Sequence, residues 1–197
     1  MKNSYSSFFK KVDEKIDSLI QEKNIKNKII CKKGCTICCE SVNLFVLPQE
    51  IFLIVNALNK LPFKQRKEIA KRIKNIDKEW DLKVRNKGSK RFNGPLPADL
   101  LQEMLYEVRY KCPFLFGSTC IIYENRPVVC RSYFSDNLEA CKKESVPYNL
   151  IDEVKESIYK EYPTNNKDTI ITPLLRNIDF KNNKFVVINS EKLRKQI

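Results

Sequence analysis

The sequence contains no histidine and only four glycines among 197 residues. Without histidine, the chain cannot supply a Ser-His-Asp or Cys-His catalytic group, a histidine ligand for zinc or the histidine of a c-type haem site. Any general acid or base must therefore be Asp, Glu, Lys, Tyr or Cys. The low glycine content also disfavours a glycine-rich loop that cradles phosphate groups.

Long apolar runs are absent as well. No stretch approaches the roughly 18 apolar residues of a membrane span, and residues 1–9 lack the apolar centre of a signal peptide. We therefore expect no membrane span and a cytoplasmic protein, where a reducing environment keeps thiols free. The net charge of +13 suits nucleic acid, acidic lipid headgroups or an acidic protein partner, although a lysine-rich composition explains it more simply.

Cysteine is the residue type that stands out, with eight copies in two patches. The first patch comprises Cys31, Cys35, Cys38 and Cys39, and the second comprises Cys112, Cys120, Cys130 and Cys141. Thiolates crowded in this way repel one another, and a bound soft cation reverses that cost. We predict that the two patches converge and that all eight cysteines are ligands of zinc, iron or an iron–sulfur cluster.

The spacing within the first patch leaves the number of centres open. Cys35 and Cys38 are separated by two residues, which lets both sulfurs face one ion. Cys39 cannot easily point the same way as Cys38, so it is freer to face a second ion, a cluster or the core. Gly34 lies between Cys31 and Cys35, where a positive φ would help the chain to fold around an ion.

Four neighbouring side chains are candidates for supporting roles. Arg126 and Arg131 flank Cys130 and could offset the charge of a thiolate-rich centre, or they could be ordinary surface or capping residues. Glu50 is either an oxygen ligand or a first-turn helix carboxylate. Tyr123 could cover the site or belong to the core.

Apolar periodicity predicts a mainly α fold. We expect one compact helical domain over residues 1–197, with a cysteine-cluster core at 31–141. The cysteine-rich loops should be irregular, and the segment near the C-terminus is compatible with short strands. The predicted elements are helices over 4–27, from Pro48 onwards, over 62–86, 98–110 and 147–159, a short helix that starts at Pro127, a loop over 87–97, an extended stretch over 41–47, and two apolar stretches within 168–197.

The cysteine motifs resemble a known family. The matching segments are Cys31-x3-Cys35-x2-Cys38-Cys39, then Cys112-Pro113-Phe114-Leu115, then the block from Cys120 through Tyr123-Glu124-Asn125-Arg126-Pro127 to Cys130-Arg131. This pattern is similar to the YkgJ-type cysteine-cluster family, the CxxCxxCC group of zinc- or iron-chelating proteins. The first gap has three residues in place of two, which bears on the role of Cys31. The resemblance implies a metal-chelating domain.

Two other functions remain open. The wider family includes flagellin lysine N-methylases, so the resemblance also allows a SAM-dependent enzyme that methylates a protein substrate with an iron–sulfur centre. The spacing Cys31-x3-Cys35-x2-Cys38 is that of radical-SAM cluster ligands, although the predicted helices after Cys38 do not fit the β/α scaffold of those enzymes. In the third hypothesis zinc only stabilises the fold, and the lysine-rich helix 62–86 binds nucleic acid.

Overall fold

The computed structural model describes residues 7–40, 44–86, 109–142, 148–150, 152–154, 156–157, 172–175 and 178–188. Its helices are α1 (Phe8–Glu22), α2 (Ile37–Glu40), α3 (Pro48–Asn59), α4 (Phe63–Asn86), a 3-10 turn (Tyr123–Asn125), α5 (Val128–Arg131) and α6 (Leu138–Lys142). The strands are β1 (Phe45–Val46), β2 (Leu115–Phe116), β3 (Thr119–Cys120), β4 (Tyr133–Phe134), β5 (Tyr148–Asn149), β6 (Thr172–Pro173), β7 (Ile178–Lys181) and β8 (Lys184–Val187).

Helix α1 forms because its apolar residues recur at helical spacing. Phe8, Val12, Ile16 and Leu19 are buried along one face. The helix is shorter than the predicted 4–27, since it ends at Glu22 and Asn24 then adopts a φ of +51°. Its buried face packs in a smaller core cluster whose other members are Ile25, Leu47, Val128, Leu150 and Val154.

Helices α3 and α4 are the centre of the larger core. Helix α3 begins at Pro48 as predicted, and α4 occupies nearly all of the predicted 62–86. Their buried residues in this core are Ile51, Ile54, Val55, Leu58, Ile69 and Ile73. The side chain of Asn59 donates to the carbonyl of Phe185 over 2.9 Å and accepts from its N–H over 2.7 Å. These two bonds attach the C-terminal hairpin to α3.

The described strands form four two-stranded antiparallel sheets, which pair β1 with β6, β2 with β3, β4 with β5 and β7 with β8. The β7–β8 hairpin turns at Asn182 and Asn183, whose φ values are +49° and +63°. Positive φ at both central residues gives the turn a twist that matches the flanking strands. The prediction of a mainly helical fold with short strands near the C-terminus is therefore confirmed.

Some predicted elements differ from the structure or fall beyond it. Arg109 and Tyr110, the end of the predicted helix 98–110, are not helical, while residues 98–108 and the predicted loop 87–97 lie outside the described residues. The predicted helix 147–159 was partly wrong, because Tyr148–Asn149 pairs with Tyr133–Phe134 as strand β5 and helical backbone occurs only at 152–154 and 156–157 of the described positions. None of the helices in the described segments has the length and apolar character needed to cross a membrane.

Candidate metal centre

The two cysteine patches meet in space. The backbone N–H of Cys112 donates to the carbonyl of Cys39 over 2.8 Å, which joins the end of the first patch directly to the start of the second. Helix α2, which contains Cys38 and Cys39, also packs against α6, which contains Cys141. Segments about 70–100 positions apart in the sequence are therefore neighbours in the fold, and the thiols on them become neighbours too.

Four thiols lie at the edge of the larger core. Cys112 is buried, with 7% of its surface exposed, and Cys39, Cys120 and Cys130 pack against the same apolar cluster. The Cys39 thiol donates to Cys112, and this bond, opposed by one from Cys38 and reinforced by burial, raises the pKa of Cys39 to about 12. Burial, followed by the charges of Cys38, Cys39 and Cys120, raises the pKa of Cys130 well above its ordinary value.

The remaining four thiols lie outside this apolar cluster, although Cys39, Cys120 and Cys130 are partly exposed as well. Cys38 is exposed, and Cys31, Cys35 and Cys141 are partly exposed. The Sγ atom of Cys31 accepts a hydrogen bond from the backbone N–H of Ser135 over 3.3 Å. Burial raises the pKa of Cys31, the Ser135 bond lowers it, and the charges of Cys141, Cys35 and Cys38 raise it further. Cys31 is thus close to thiols of both patches.

Local backbone geometry positions several of these cysteines. Cys120 ends the β2–β3 hairpin opposite Leu115, and Gly117 makes the turn with a φ of +59°. Helix α5 starts directly after Pro127, one residue later than predicted, and places Cys130 on its first turn. Gly34 has a φ of +92°, which confirms the prediction of a turn between Cys31 and Cys35.

Glu50 is a first-turn carboxylate that caps two helices. It is 1% exposed. One of its oxygens, Oε2, accepts the Leu47 N–H over 2.7 Å at the start of α3, and Oε1 accepts the Val128 N–H over 2.6 Å at the start of α5. Both helix N-termini favour a negative charge. The carboxylate therefore fixes the Cys130 segment to α3, and both of its oxygens are engaged in doing so.

The two arginines that flank Cys130 differ in position. The Arg126 guanidinium stacks 4.2 Å from the Tyr123 ring, and its charge opposes the rise that burial causes in the pKa of Cys120. Its buried Nε atom has no hydrogen-bond partner among the described residues. Arg126 therefore meets the expectation of a cation beside the thiols, with Tyr123 as its packing partner.

Arg131 is buried, and its guanidinium binds groups other than the thiols whose charge it was a candidate to offset. It is 4% exposed, and Nη1 binds both carboxylate oxygens of Asp13 at 2.7 and 2.6 Å. Its Nε donates to the Arg126 carbonyl over 2.8 Å, and Nη2 donates to the Glu124 carbonyl. The guanidinium is occupied by α1 and by two backbone carbonyls, so Arg131 secures α1 to the Cys130 segment.

Sequence patterns missed Tyr110 and Ser135. The Tyr110 hydroxyl accepts the Leu44 N–H over 3.1 Å, and burial raises its pKa, with smaller contributions from Cys112 and Cys130. Ser135 is buried, donates its N–H to Cys31 and accepts the Ile30 N–H over 2.9 Å. The proximity of Tyr110 to Cys112 in sequence was an available signal, whereas the contact of Ser135 with Cys31 spans 104 positions and had none.

The donors suit a thiophilic ion, although the described side chains do not close around one. All eight cysteines are free thiols, and soft sulfur donors select zinc, iron or an iron–sulfur cluster over magnesium or calcium. Within the described residues, no three Cys, Asp or Glu side chains converge tightly enough to hold a metal ion. The thiols are gathered and linked by hydrogen bonds, and a common coordination point requires their side chains to turn towards it.

A mainly helical fold that gathers eight free thiols from two distant segments defines a cysteine-cluster protein. The model of the CxxCxxCC family, described as "Putative zinc- or iron-chelating domain", matches residues 30–148, which is more than half of the chain, and the protein belongs to this family. The resemblance inferred from the cysteine motifs is thereby confirmed. No curated protein and no solved structure matches the chain.

Proposed function

We propose that the protein binds zinc or iron through thiolates of both cysteine patches. The observation that supports this most strongly is the hydrogen bond from Cys112 N–H to the Cys39 carbonyl, because it places the two patches side by side. The ligands are Cys31, Cys35, Cys38, Cys39, Cys112, Cys120, Cys130 and Cys141. The membership in a family described as zinc- or iron-chelating supports the same function. Reduced thiols in this number suit the cytoplasm.

The bound metal supplies a charge that keeps crowded thiolates ionised, and this favours the folded chain because the ligands come from distant segments. Arg126 lies beside the thiols and reduces the repulsion that remains among them. Glu50 and Arg131 position the Cys130 segment by binding backbone groups and Asp13. On this proposal the protein binds the metal, and the bound metal in turn stabilises the fold.

Metal analysis after anaerobic purification tests the proposal and identifies the metal. Stoichiometric zinc in colourless protein would establish a zinc site, and brown protein with iron and sulfide would establish an iron–sulfur centre. Cleavage of SAM by the reduced brown protein would then support the methyl-transfer alternative, with a lysine-bearing protein as substrate. Protein purified without stoichiometric zinc or iron, and unable to take up either, would contradict the proposal.

Ligand substitutions test which patch participates. Cys38→Ser removes a thiolate from the first patch, and Cys130→Ser removes one from the second. We expect each variant to lose bound metal and thermal stability together. Ser18 on the exposed face of α1 provides a control, since Ser18→Ala changes no group near the thiols. Normal metal content in both cysteine variants would show that the ligands are assigned wrongly.

A row of lysines on α4 favours a second candidate function, nucleic-acid binding. Lys64, Lys67, Lys71, Lys74 and Lys78 are all exposed and recur at alternating spacings of three and four residues. That spacing places them on one face of the helix, over about 21 Å at 1.5 Å per residue. A row of this length suits the phosphates along one side of a duplex.

Salt-dependent retention on duplex DNA tests this second function. Charge reversal of Lys67, Lys71 and Lys74 to Glu should abolish retention and flatten its salt dependence, whereas reversal of Lys11, Lys26 and Lys28 should have little effect. Equal losses in the two triple variants would indicate only non-specific attraction by a basic protein.

A further inference from the structure

The eight thiols divide into two groups by their relation to the larger core. Cys112 is a buried member of that core, and Cys39, Cys120 and Cys130 pack against it. Cys31, Cys35, Cys38 and Cys141 do not belong to it, and Cys38 is exposed. Each group contains cysteines from both patches, so the division follows the fold and cuts across the sequence.

Backbone connections hold several members of each group near one another. In the core group, the 2.8 Å backbone hydrogen bond joins Cys39 to Cys112. Cys120 is the last residue of the β2–β3 hairpin, which follows Cys112 in the chain. In the solvent-side group, Ser135 binds Cys31, and its hydroxyl bonds with the backbone of Asn137. The Asn137 carbonyl in turn accepts the Cys141 N–H over 3.1 Å in the first turn of α6. This compact segment places Cys31 and Cys141 on the same side.

Cys38 lies between the groups, and its spacing assigns it to the solvent side. Its thiol donates to Cys39, so it contacts the core group. Cys35 and Cys38 nevertheless have the two-residue spacing that lets both sulfurs bind one ion. The core group already has four thiols without Cys38, whereas the solvent-side group has three.

We propose that the protein has two metal centres of four thiols each: an inner centre of Cys39, Cys112, Cys120 and Cys130, and an outer centre of Cys31, Cys35, Cys38 and Cys141. This inference rests on the proposed function and adds a division of labour. The inner centre lies against the larger core, to which Cys112 belongs, and releases its ion slowly. The outer centre borders solvent through Cys38 and exchanges its ion with chelators and other thiols.

Reconstitution with cadmium tests the division. Metal-free protein, reduced and kept without oxygen, is titrated with ¹¹³Cd²⁺ and followed by ¹¹³Cd NMR. We expect about two equivalents per chain and two separate resonances, both at the chemical shift of four-sulfur coordination. Transfer to an excess of chelator should then proceed in a fast and a slow phase of equal amplitude.

Two cysteine variants assign the phases. Cys141→Ser should remove the fast phase and its resonance and leave the slow one, because the inner thiols are intact. Cys120→Ser should remove the slow phase; should it fail to fold, the result of Cys141→Ser together with circular dichroism still decides the matter. One shared resonance, or equal loss of all cadmium in Cys141→Ser that remains folded, would overturn the two-centre inference while leaving metal binding intact. Failure to bind cadmium at all would overturn both.

Discussion

At the residue scale, Glu50 connects the start of α3 with the start of α5, where Val128 lies 78 positions further along the chain. Its carboxylate accepts one backbone N–H at each start, over 2.7 and 2.6 Å. Hydrogen bonds to a buried charged acceptor are stronger than those between neutral groups, and an N–H left without an acceptor is costly. The position of Cys130 therefore depends on a residue that is not itself a cysteine.

Replacement of Glu50 by Gln tests this role. The amide has a single oxygen, so one of the two N–H groups would face an amide NH₂, and we expect unfolding to become easier by about 1.5–3 kcal/mol. Urea denaturation of the metal-free protein measures the change. Glu14→Gln, at an exposed position of α1, is the control and should shift stability by less than about 0.5 kcal/mol. Equal stability of the two variants would contradict the role given to Glu50.

Gly34 is the second residue whose backbone the site requires. Its φ of +92° is unfavourable for any residue with a Cβ atom, although no atom of the described segments lies within 4 Å of where a Cβ would be. Gly34→Ala should therefore cost about 1–2 kcal/mol through backbone strain alone and weaken zinc binding. Competition with a zinc-sensitive dye measures the affinity, and Lys32→Ala in the same exposed turn is the control. Unchanged affinity in Gly34→Ala would show that this turn does not matter for the site.

At the scale of elements, the buried pair of Arg131 and Asp13 attaches α1 to the cysteine site. The guanidinium also covers the carbonyls of Arg126 and Glu124 and lies 4.4 Å from the Phe9 ring. The ion pair with Asp13 alone spans 118 positions of sequence. Helix α1 is therefore packed against α5 by one polar side chain as well as by its apolar face.

Replacement of Arg131 by Met should loosen α1 selectively. The carboxylate of Asp13 is about half exposed and can be rehydrated. The main effect is therefore the loss of the hydrogen bonds to the two buried carbonyls, which should lower the free energy of unfolding by about 2–4 kcal/mol. Hydrogen exchange should accelerate in α1 more than in α3. Lys26→Met, at an exposed position after α1, is the control. Uniform acceleration over both helices would contradict a specific link between Arg131 and α1.

Sequence patterns predicted the elements whose cause is local. Periodic apolar residues located α1, α3 and α4, Pro127 located α5, and the resemblance of the cysteine motifs located the family. The partners of Glu50 and Arg131 are distant in sequence, so no local pattern indicated them. Strand β5 was predicted as helix because its pairing with β4 depends on tertiary contacts.

At the scale of the whole molecule, the state of the thiols determines how stability varies with pH. The pKa of Cys39 is raised to about 12 from 9.0, chiefly because its thiol donates a hydrogen bond to Cys112. Below pH 9 this thiol is neutral in both the folded and the unfolded chain. Its contribution to the stability of the folded state is therefore fully present there. The contribution is lost as pH rises from about 9 towards 12, since the unfolded chain ionises first.

Thermal melts between pH 7 and pH 11, without metal and without oxygen, test this sign. We expect the melting temperature to fall above about pH 9 in the original protein and to fall less in Cys39→Ser, which lacks the thiol. A melting temperature that rises over this range, or identical profiles in the two proteins, would contradict the prediction.

Metal removal should lower the stability of the whole chain. Metal bound to the folded state alone adds stability in proportion to the logarithm of its concentration relative to its dissociation constant. A chelator should therefore lower the melting temperature, and zinc should restore it. Cys130→Ser, which lacks one proposed ligand, should respond less to either treatment. Equal melting temperatures with and without metal would contradict a stabilising role.

X-ray absorption at the edge of the metal in the anaerobically purified protein tests the central claim most directly. The claim is that thiols of both patches surround the same ions. We predict a first coordination shell of about four sulfurs per metal, at about 2.3 Å for zinc, and a reduced number of sulfurs in both Cys38→Ser and Cys130→Ser. A first shell of nitrogen and oxygen, or a sulfur count unchanged in both variants, would contradict the account.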